Sequence, residues 1–291
     1  MGGSAEWGGG NGGGGRHMSG QEFLSGGSSS GESMESMEQN PTERSSASPS
    51  TRPLGTRLDG ITDLENAVRA VTEHPGPVEI PAGPGQLVGR HLGSVPQRQV
   101  GEALRGAGAD PLMLRADISI DEDIPDEGVI AVLDDHLSLA AGVGAEYLVV
   151  PRAGMGGRGR SEERIFSMLA ALDEAASAHQ VHLLLETEGA TADEVELVEY
   201  LERAREAGTL DVDPHYVASV AWNVAASSAA GEGPAAAFER MRPLLDRAPL
   251  IVCGVDEDTV EDLFAAVPEL REAAATARII VILGRPGAAG A

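Results

Sequence analysis

The chain has 291 residues, of which 42% are hydrophobic but only 3% aromatic, and its 46 acidic and 21 basic residues give a formal charge of −25. Every basic residue is arginine and the single cysteine is Cys253, which excludes an intrachain disulfide and any multi-cysteine zinc or iron–sulfur site. So acidic a surface repels phosphate backbones and anionic membranes, so neither nucleic acid nor a membrane is expected as a partner.

A core with so few aromatic rings must be built from Ala, Val, Leu and Ile, which suits the interior of an α/β barrel. The missing lysine has two readings, a GC-rich genome or an acidic surface adapted to high salt. No apolar run approaches the roughly 18 residues of a membrane span. The N-terminus also lacks the basic-then-apolar pattern of a secretory signal. The expectation is a soluble, cytoplasmic, acidic protein whose oligomeric state is open.

Residues 1–52 are rich in Gly, Ser, Glu and Pro, in runs such as GGGNGGGG and SGGSSSGES. Such a stretch cannot bury enough apolar surface to offset chain entropy, and a disordered tail is predicted there. From Pro53 the pattern becomes regular: a short apolar run, an amphipathic stretch, then Gly or Pro. Strands are predicted at 55–59, 77–81, 111–118, 147–151, 181–186, 209–213, 249–255 and 278–283. Between them, helices are predicted at 63–73, 96–106, 127–142, 161–178, 192–207, 233–247 and 257–276. Eight short strands alternating with longer helices imply parallel pairing through right-handed crossovers. An open doubly wound sheet shares this alternation, but it more often carries a Gly-rich phosphate loop after its first strand, and GTRLDGITD is not one. The predicted fold is therefore α/β, a single (β/α)8 TIM barrel over residues 53–287. Only GRPGAAGA follows the last strand, so the eighth helix is missing or replaced.

The active site of such a barrel lies at the C-terminal ends of its strands. Asp59, Glu79, Asp117, Arg152, Glu186 with Glu188, Asp211 with Asp213 and His215, Asp256 and Arg285 stand at those ends. Most are acidic, and converging carboxylates repel unless protons or a divalent cation compensate. Asp59, Asp117 and Asp256 each precede a helix, where an N-cap or a solvated loop residue explains them. Glu186 closes the apolar run VHLLL at the rim of the core, where an unpaired carboxylate is costly. It is a candidate ligand or acid/base. Asp211, Asp213 and His215 in LDVDPHYV alternate along an extended chain and could share one face; a surface turn explains them as well, since Pro214 ends any regular ladder.

The Gly-rich loop PRAGMGGRGR carries Arg152, Arg158 and Arg160. Either it holds a substrate phosphate or carboxylate through guanidinium forks, or it is a linker with solvated arginines. Arg152, Arg158 and Glu79 are the candidate substrate-binding residues. Cys253, inside an apolar strand, reads as a buried and inert thiol.

Four stretches together resemble the xylose isomerase-like barrel superfamily, which includes sugar phosphate isomerases and epimerases and enzymes of the endonuclease IV type. They are DDHLSLAAGVGAEYLVVP, LLLETEG in the fifth strand, the Asp-His cluster, and GEGPAAAFERMRPLLDR after it. The resemblance covers about residues 54–283. It implies a divalent metal (Mn, Mg or Zn) held by Glu and Asp of strands five and six, a His of strand seven and a Glu of strand eight. Glu residues of strands five and eight would also move a proton on the carbon beside a carbonyl. Glu186 matches the strand-five Glu. His215 with Asp211 or Asp213 matches the expected Asp-x-x-His imperfectly. PLIVCGVDED has no His and RIIVILGRPG no Glu. Glu186, Asp213 and His215 are then the implied metal ligands, with Asp256 substituting at strand seven, and Glu186 and His215 are the implied catalytic pair.

Two functions follow. One is a metal-assisted isomerase or epimerase acting on a small sugar or sugar phosphate. The other is a catalytically degenerate barrel that serves as a binding or regulatory protein. Whether the protein is an enzyme is left open, and if active it is isomerase- or epimerase-like.

Overall fold

The computed structural model describes residues 54–152, 162–187, 189–207, 217–246, 249–276 and 278–284; the predicted tail lies outside them. The strands are β1 (Gly55–Arg57), β2 (Gly76–Pro81), β3 (Ala109–Arg115), β4 (Tyr147–Val150), β5 (His182–Glu186), β6 (Val217–Asn223), β7 (Leu250–Val255) and β8 (Ile279–Leu283). Each pairs in parallel with the next, and β8 pairs with β1, so the sheet closes into an eight-stranded barrel. A parallel sheet covered on both faces needs strands that are apolar throughout. YLVV of β4 is buried along its whole length, and β8 (IIVIL) along all but its last residue.

The helices in chain order are α1 (Leu64–Glu73), α2 (Ser94–Gly106), α3 (Asp126–Val143), α4 (Glu162–His179), α5 (Ala192–Glu206), α6 (Val224–Ala229), α7 (Pro234–Met241), α8 (Val260–Ala266) and α9 (Pro268–Ala275). Asp63 starts α1 by accepting a hydrogen bond from the Asn66 amide at 2.9 Å, an N-cap interaction. Helices α2 and α3 approach closely at Gly101, where a Cβ would lie 1.9 Å from the Val143 carbonyl oxygen.

Prolines explain two departures from the predicted helices. The stretch 257–276 is two helices because Pro268 lacks an amide N–H and forces Val267 out of the helical region, to φ −135° and ψ 81°. The stretch 233–247 contains α7 and then a 3-10 turn, Arg242–Asp246, that includes Pro243. The sixth strand also differs. It is VASVAWN, whereas the alternation of TLDVD predicts it at 209–213. A barrel strand is covered on both sides: Ser219 and Ala221 turn small side chains into the barrel, while Val220 and Trp222 pack under the helices. TLDVD would have placed carboxylates along one of those buried faces.

Inside the barrel, Met113, Tyr147, Val149, Leu184, Ala221, Ile251, Ile280 and Ile282 form one apolar plug, so the interior is a packed core rather than a pore. Two larger clusters fill the space between sheet and helices. A groove of about 790 Å³ lies beside Leu54, Thr56, Ala70, Val260 and Leu283. Among the described residues, no helix is long and apolar enough to cross a membrane.

Candidate functional site

Above the apolar plug, at the C-terminal end of the barrel, six strands contribute a polar layer. Its members are Arg57 (β1), Glu79 (β2), Arg115 (β3), Glu186 (β5), Asn223 (β6) and Cys253 (β7). Alternation along each strand puts them on the face that also carries the plug, since Met113, Leu184, Ala221 and Ile251 stand two residues before Arg115, Glu186, Asn223 and Cys253.

The layer contains two ion pairs. Arg57 Nε lies 2.6 Å from Glu79 Oε1, with Glu79 fully buried. An Arg115 guanidinium nitrogen contacts Glu186 Oε2, with the Glu186 side chain 1% exposed. The other Glu186 oxygen accepts from Asn223 Nδ2 at 2.9 Å, and the Cys253 thiol points at it from 3.7 Å. Local structure aims Asn223. Its Oδ1 accepts from the Ala226 amide at 3.0 Å and caps α6, which leaves Nδ2 for Glu186. Its backbone amide donates to Thr187 Oγ1 at 2.9 Å. Gly254 makes room, with φ of 69° and a hypothetical Cβ only 2.1 Å from Asn223 Oδ1.

Two buried carboxylates are thus balanced by two guanidiniums. Burial by itself disfavours the charge on Arg57, but the fields of Glu79, Asp59 and Glu186 outweigh it and hold the guanidinium above its ordinary pKa. Arg115 is likewise raised: burial opposes its charge, and Glu186 and Glu79 more than restore it against the repulsion of Arg57. The Cys253 thiol is fully buried and pushed well above its usual range by burial, then by Glu186 and Glu79. It stays a neutral thiol.

The remaining sequence candidates are placed elsewhere in the described structure or outside it. Arg152, at the end of β4, is buried and engaged by Glu194 of α5 at 3.2 Å. Asp256 closes a turn with Thr259, accepting from its amide at 2.9 Å and from its hydroxyl at 2.7 Å. That hydroxyl, then the amide, holds the Asp256 carboxyl below its usual value. Asp117 is the partner of His136 on α3, Nε2 to Oδ1 at 2.9 Å, and His136 Nδ1 faces the Val132 carbonyl at 2.8 Å. This pair borders a cavity of about 630 Å³ beside Gly83, Arg90, His91 and Glu122. Arg158, Glu188, Asp211, Asp213, His215 and Arg285 lie outside the described residues. The Asp-His cluster precedes β6 in the chain rather than following it.

Among the described residues, Glu79 and Glu186 are the two sequence candidates that share the layer. Arg57, Arg115 and Asn223 escaped the sequence reasoning, although LMLR ends an apolar run on a charge just as VHLLLE does.

The residues around Glu186 do not fit a divalent cation. Among the described residues, a metal there would face the Arg115 guanidinium, with Arg57 nearby, and would find beside Glu186 the Asn223 amide N–H and the protonated Cys253 thiol. Among the described residues, no group of three or more His, Cys, Asp or Glu side chains is placed to hold a metal ion.

No protein-family model matches the sequence, and no curated protein matches it. Solved structures do resemble it. An L-ribulose 3-epimerase aligns with a TM-score of 0.57 at 13% identity, over 80% of this chain and 81% of its own. Endonuclease IV from Thermus thermophilus aligns with 0.55 at 20% identity, over 80% and 92%. A xylose isomerase domain protein from Planctomyces limnophilus aligns with 0.51 at 14% identity, over 80% and 90%. At such identities the likeness speaks for the fold alone: this chain folds as a parallel α/β barrel of the kind these structures share.

Proposed function

We propose that this protein binds a small sugar-like compound at the C-terminal mouth of its barrel, as a member of this fold without the metal-assisted proton transfer that its resemblance implies. The supporting observation is the state of Glu186. A carboxylate that ligates a metal and then moves a proton needs free lone pairs and access to the substrate. In this protein both oxygens of Glu186 are engaged, by Arg115 on one side and by Asn223 and Cys253 on the other, and the group is 1% exposed. Its role in this reading is structural: it neutralises Arg115 and holds the floor of the mouth. The sugar-like ligand class rests on the fold shared with L-ribulose 3-epimerase. The charge of −25 argues against a nucleic-acid substrate such as the name endonuclease implies for another neighbour. We place the protein in the cytoplasm, where a lone thiol is kept reduced.

The test is to assay the purified chain against aldoses, ketoses and their phosphates with Mn²⁺, Mg²⁺ or Zn²⁺ added. The expected outcome is binding of a sugar or sugar phosphate without turnover, and a Glu186→Gln variant that loses stability. Metal-dependent turnover abolished in a folded Glu186→Gln variant would refute the reading.

A further inference from the structure

At the floor of the mouth the paired charges are layered, with the guanidiniums outward and the carboxylates beneath. Where the resemblance calls for carboxylates converging on a cation, this barrel presents two guanidiniums whose inner nitrogens are held by carboxylates beneath them. Glu79 and Glu186 are buried at 0% and 1%, whereas the side chains of Arg57 and Arg115 remain 17% and 21% exposed. The carboxylates are sealed in, and the guanidiniums are the charged groups of this layer that reach the mouth. Arg57 uses Nε for Glu79, and Arg115 uses one terminal nitrogen for Glu186. Among the described residues, their other N–H groups donate no side-chain hydrogen bond. Each guanidinium offers five donors in a planar fork, so most of the donors in the pair remain for a ligand.

The layout also favours one shared ligand. Arg57 stands level with Glu79 and Met113 across β1, β2 and β3, and Arg115 is two residues beyond Met113 on the same inward face. Two residues along the strand, about 6.6 Å, and two interstrand spacings across it, about 9.6 Å, separate their backbones by roughly 12 Å, a span that two long side chains can close around one tetrahedral or planar anion. Both guanidiniums are already positioned by their ion pairs, so little side-chain freedom remains to be lost on binding.

We propose that Arg57 and Arg115 form an anion-binding floor, and that the ligand of this barrel is a sugar-like molecule carrying a phosphate or carboxylate that bridges the two guanidiniums. The sugar-like part rests on the function proposed above; the anionic part rests on the two arginines alone. The bridging group sits where the metal-dependent reading would place a cation, so the site excludes divalent ions and selects by negative charge.

The full-length chain is titrated calorimetrically with inorganic phosphate, acetate, glucose 6-phosphate, gluconate and glucose. Arg57→Lys and Arg115→Lys are compared with the unchanged chain, because lysine keeps a charge for each buried glutamate but loses the fork. Arg278→Gln, at the opposite end of the barrel, serves as a control, and circular dichroism verifies each fold. The expected result is saturable binding of at least one anion, weakened about tenfold or more in each lysine variant and unchanged in Arg278→Gln. Phosphate against acetate, and glucose 6-phosphate against gluconate, then identify the anionic group. Glucose binding as tightly as its anionic relatives would overturn the inference while leaving the sugar-like reading intact. Arginine-dependent binding of inorganic phosphate or acetate with no gain from a sugar would do the reverse. Anion binding unaffected in both folded lysine variants, or no anion bound at all, would overturn it outright.

Discussion

Replacing Arg115 by methionine removes the counter-charge of Glu186 while keeping a long apolar side chain in its place. Glu186 is then a carboxylate at 1% exposure with only Asn223 at 2.9 Å and the Cys253 thiol at 3.7 Å as partners. Breaking a buried ion pair from one side costs about 3–5 kcal/mol, because the partner stays buried and uncompensated. Arg115 keeps a fifth of its side chain in solvent, so the lower end, about 3 kcal/mol, is expected. For a domain of this size that corresponds to a fall in Tm of about 6–12 °C. Glu186→Gln should cost less, since the charge it strands has access to water. The double variant Arg115→Met/Glu186→Gln should recover much of the loss, giving a coupling of about 2 kcal/mol or more. Urea unfolding of the four proteins at neutral pH measures the cycle, with constant m-values as the check on two-state behaviour. A coupling below about 0.5 kcal/mol would refute the reasoning, because the loss in Arg115→Met would then come from packing rather than from the pair.

Gly254→Ala should destabilise the fold by about 1–2 kcal/mol or more, since the residue adopts φ of 69° and its new methyl would press on Asn223 Oδ1; the same urea titration reads it, and an unchanged midpoint would count against the assigned geometry. His182 lies at the start of β5 near the Tyr147 ring, and burial lowers its pKa from the ordinary 6.5. Below about pH 6.5 the unfolded chain takes up a proton that the folded chain resists, so stability should fall with pH from there downward, and His182→Gln should flatten that slope. Adding Mn²⁺ or Zn²⁺ to about 1 mM should leave the Tm unchanged; a rise of several degrees would reveal a cation site in the folded protein.

The fold was legible because alternation survives without knowledge of any contact. Runs such as EYLVVP, VHLLLE and RIIVILG announce buried strands, and the helices between them force parallel pairing. The misplacement of β6 has a local cause. Both TLDVD and VASVAWN have strand character, and only a barrel wall needing small residues inward and Val220 with Trp222 outward chooses between them. The helix breaks at Pro268 and at Pro243 are visible as residues, but a continuous amphipathic pattern runs across both and masks them.

The candidate site was half legible. Glu186 stands out from its own strand, because a carboxylate closing an apolar run must find a partner or carry a large desolvation cost. That requirement follows from one segment of chain. The identity of the partner does not, because Arg115 is 71 positions earlier and Cys253 67 positions later in the sequence. The same holds for Glu79, whose arginine comes from the neighbouring strand. Sequence by itself determined the alternation, the parallel α/β architecture, the sparse aromatic core and the need for Glu186 to be compensated, since each follows from local periodicity and the cost of burial. Only the tertiary structure decided which side chain Glu186 meets, because barrel closure and strand register bring Arg57, Glu79, Arg115 and Glu186 into one layer.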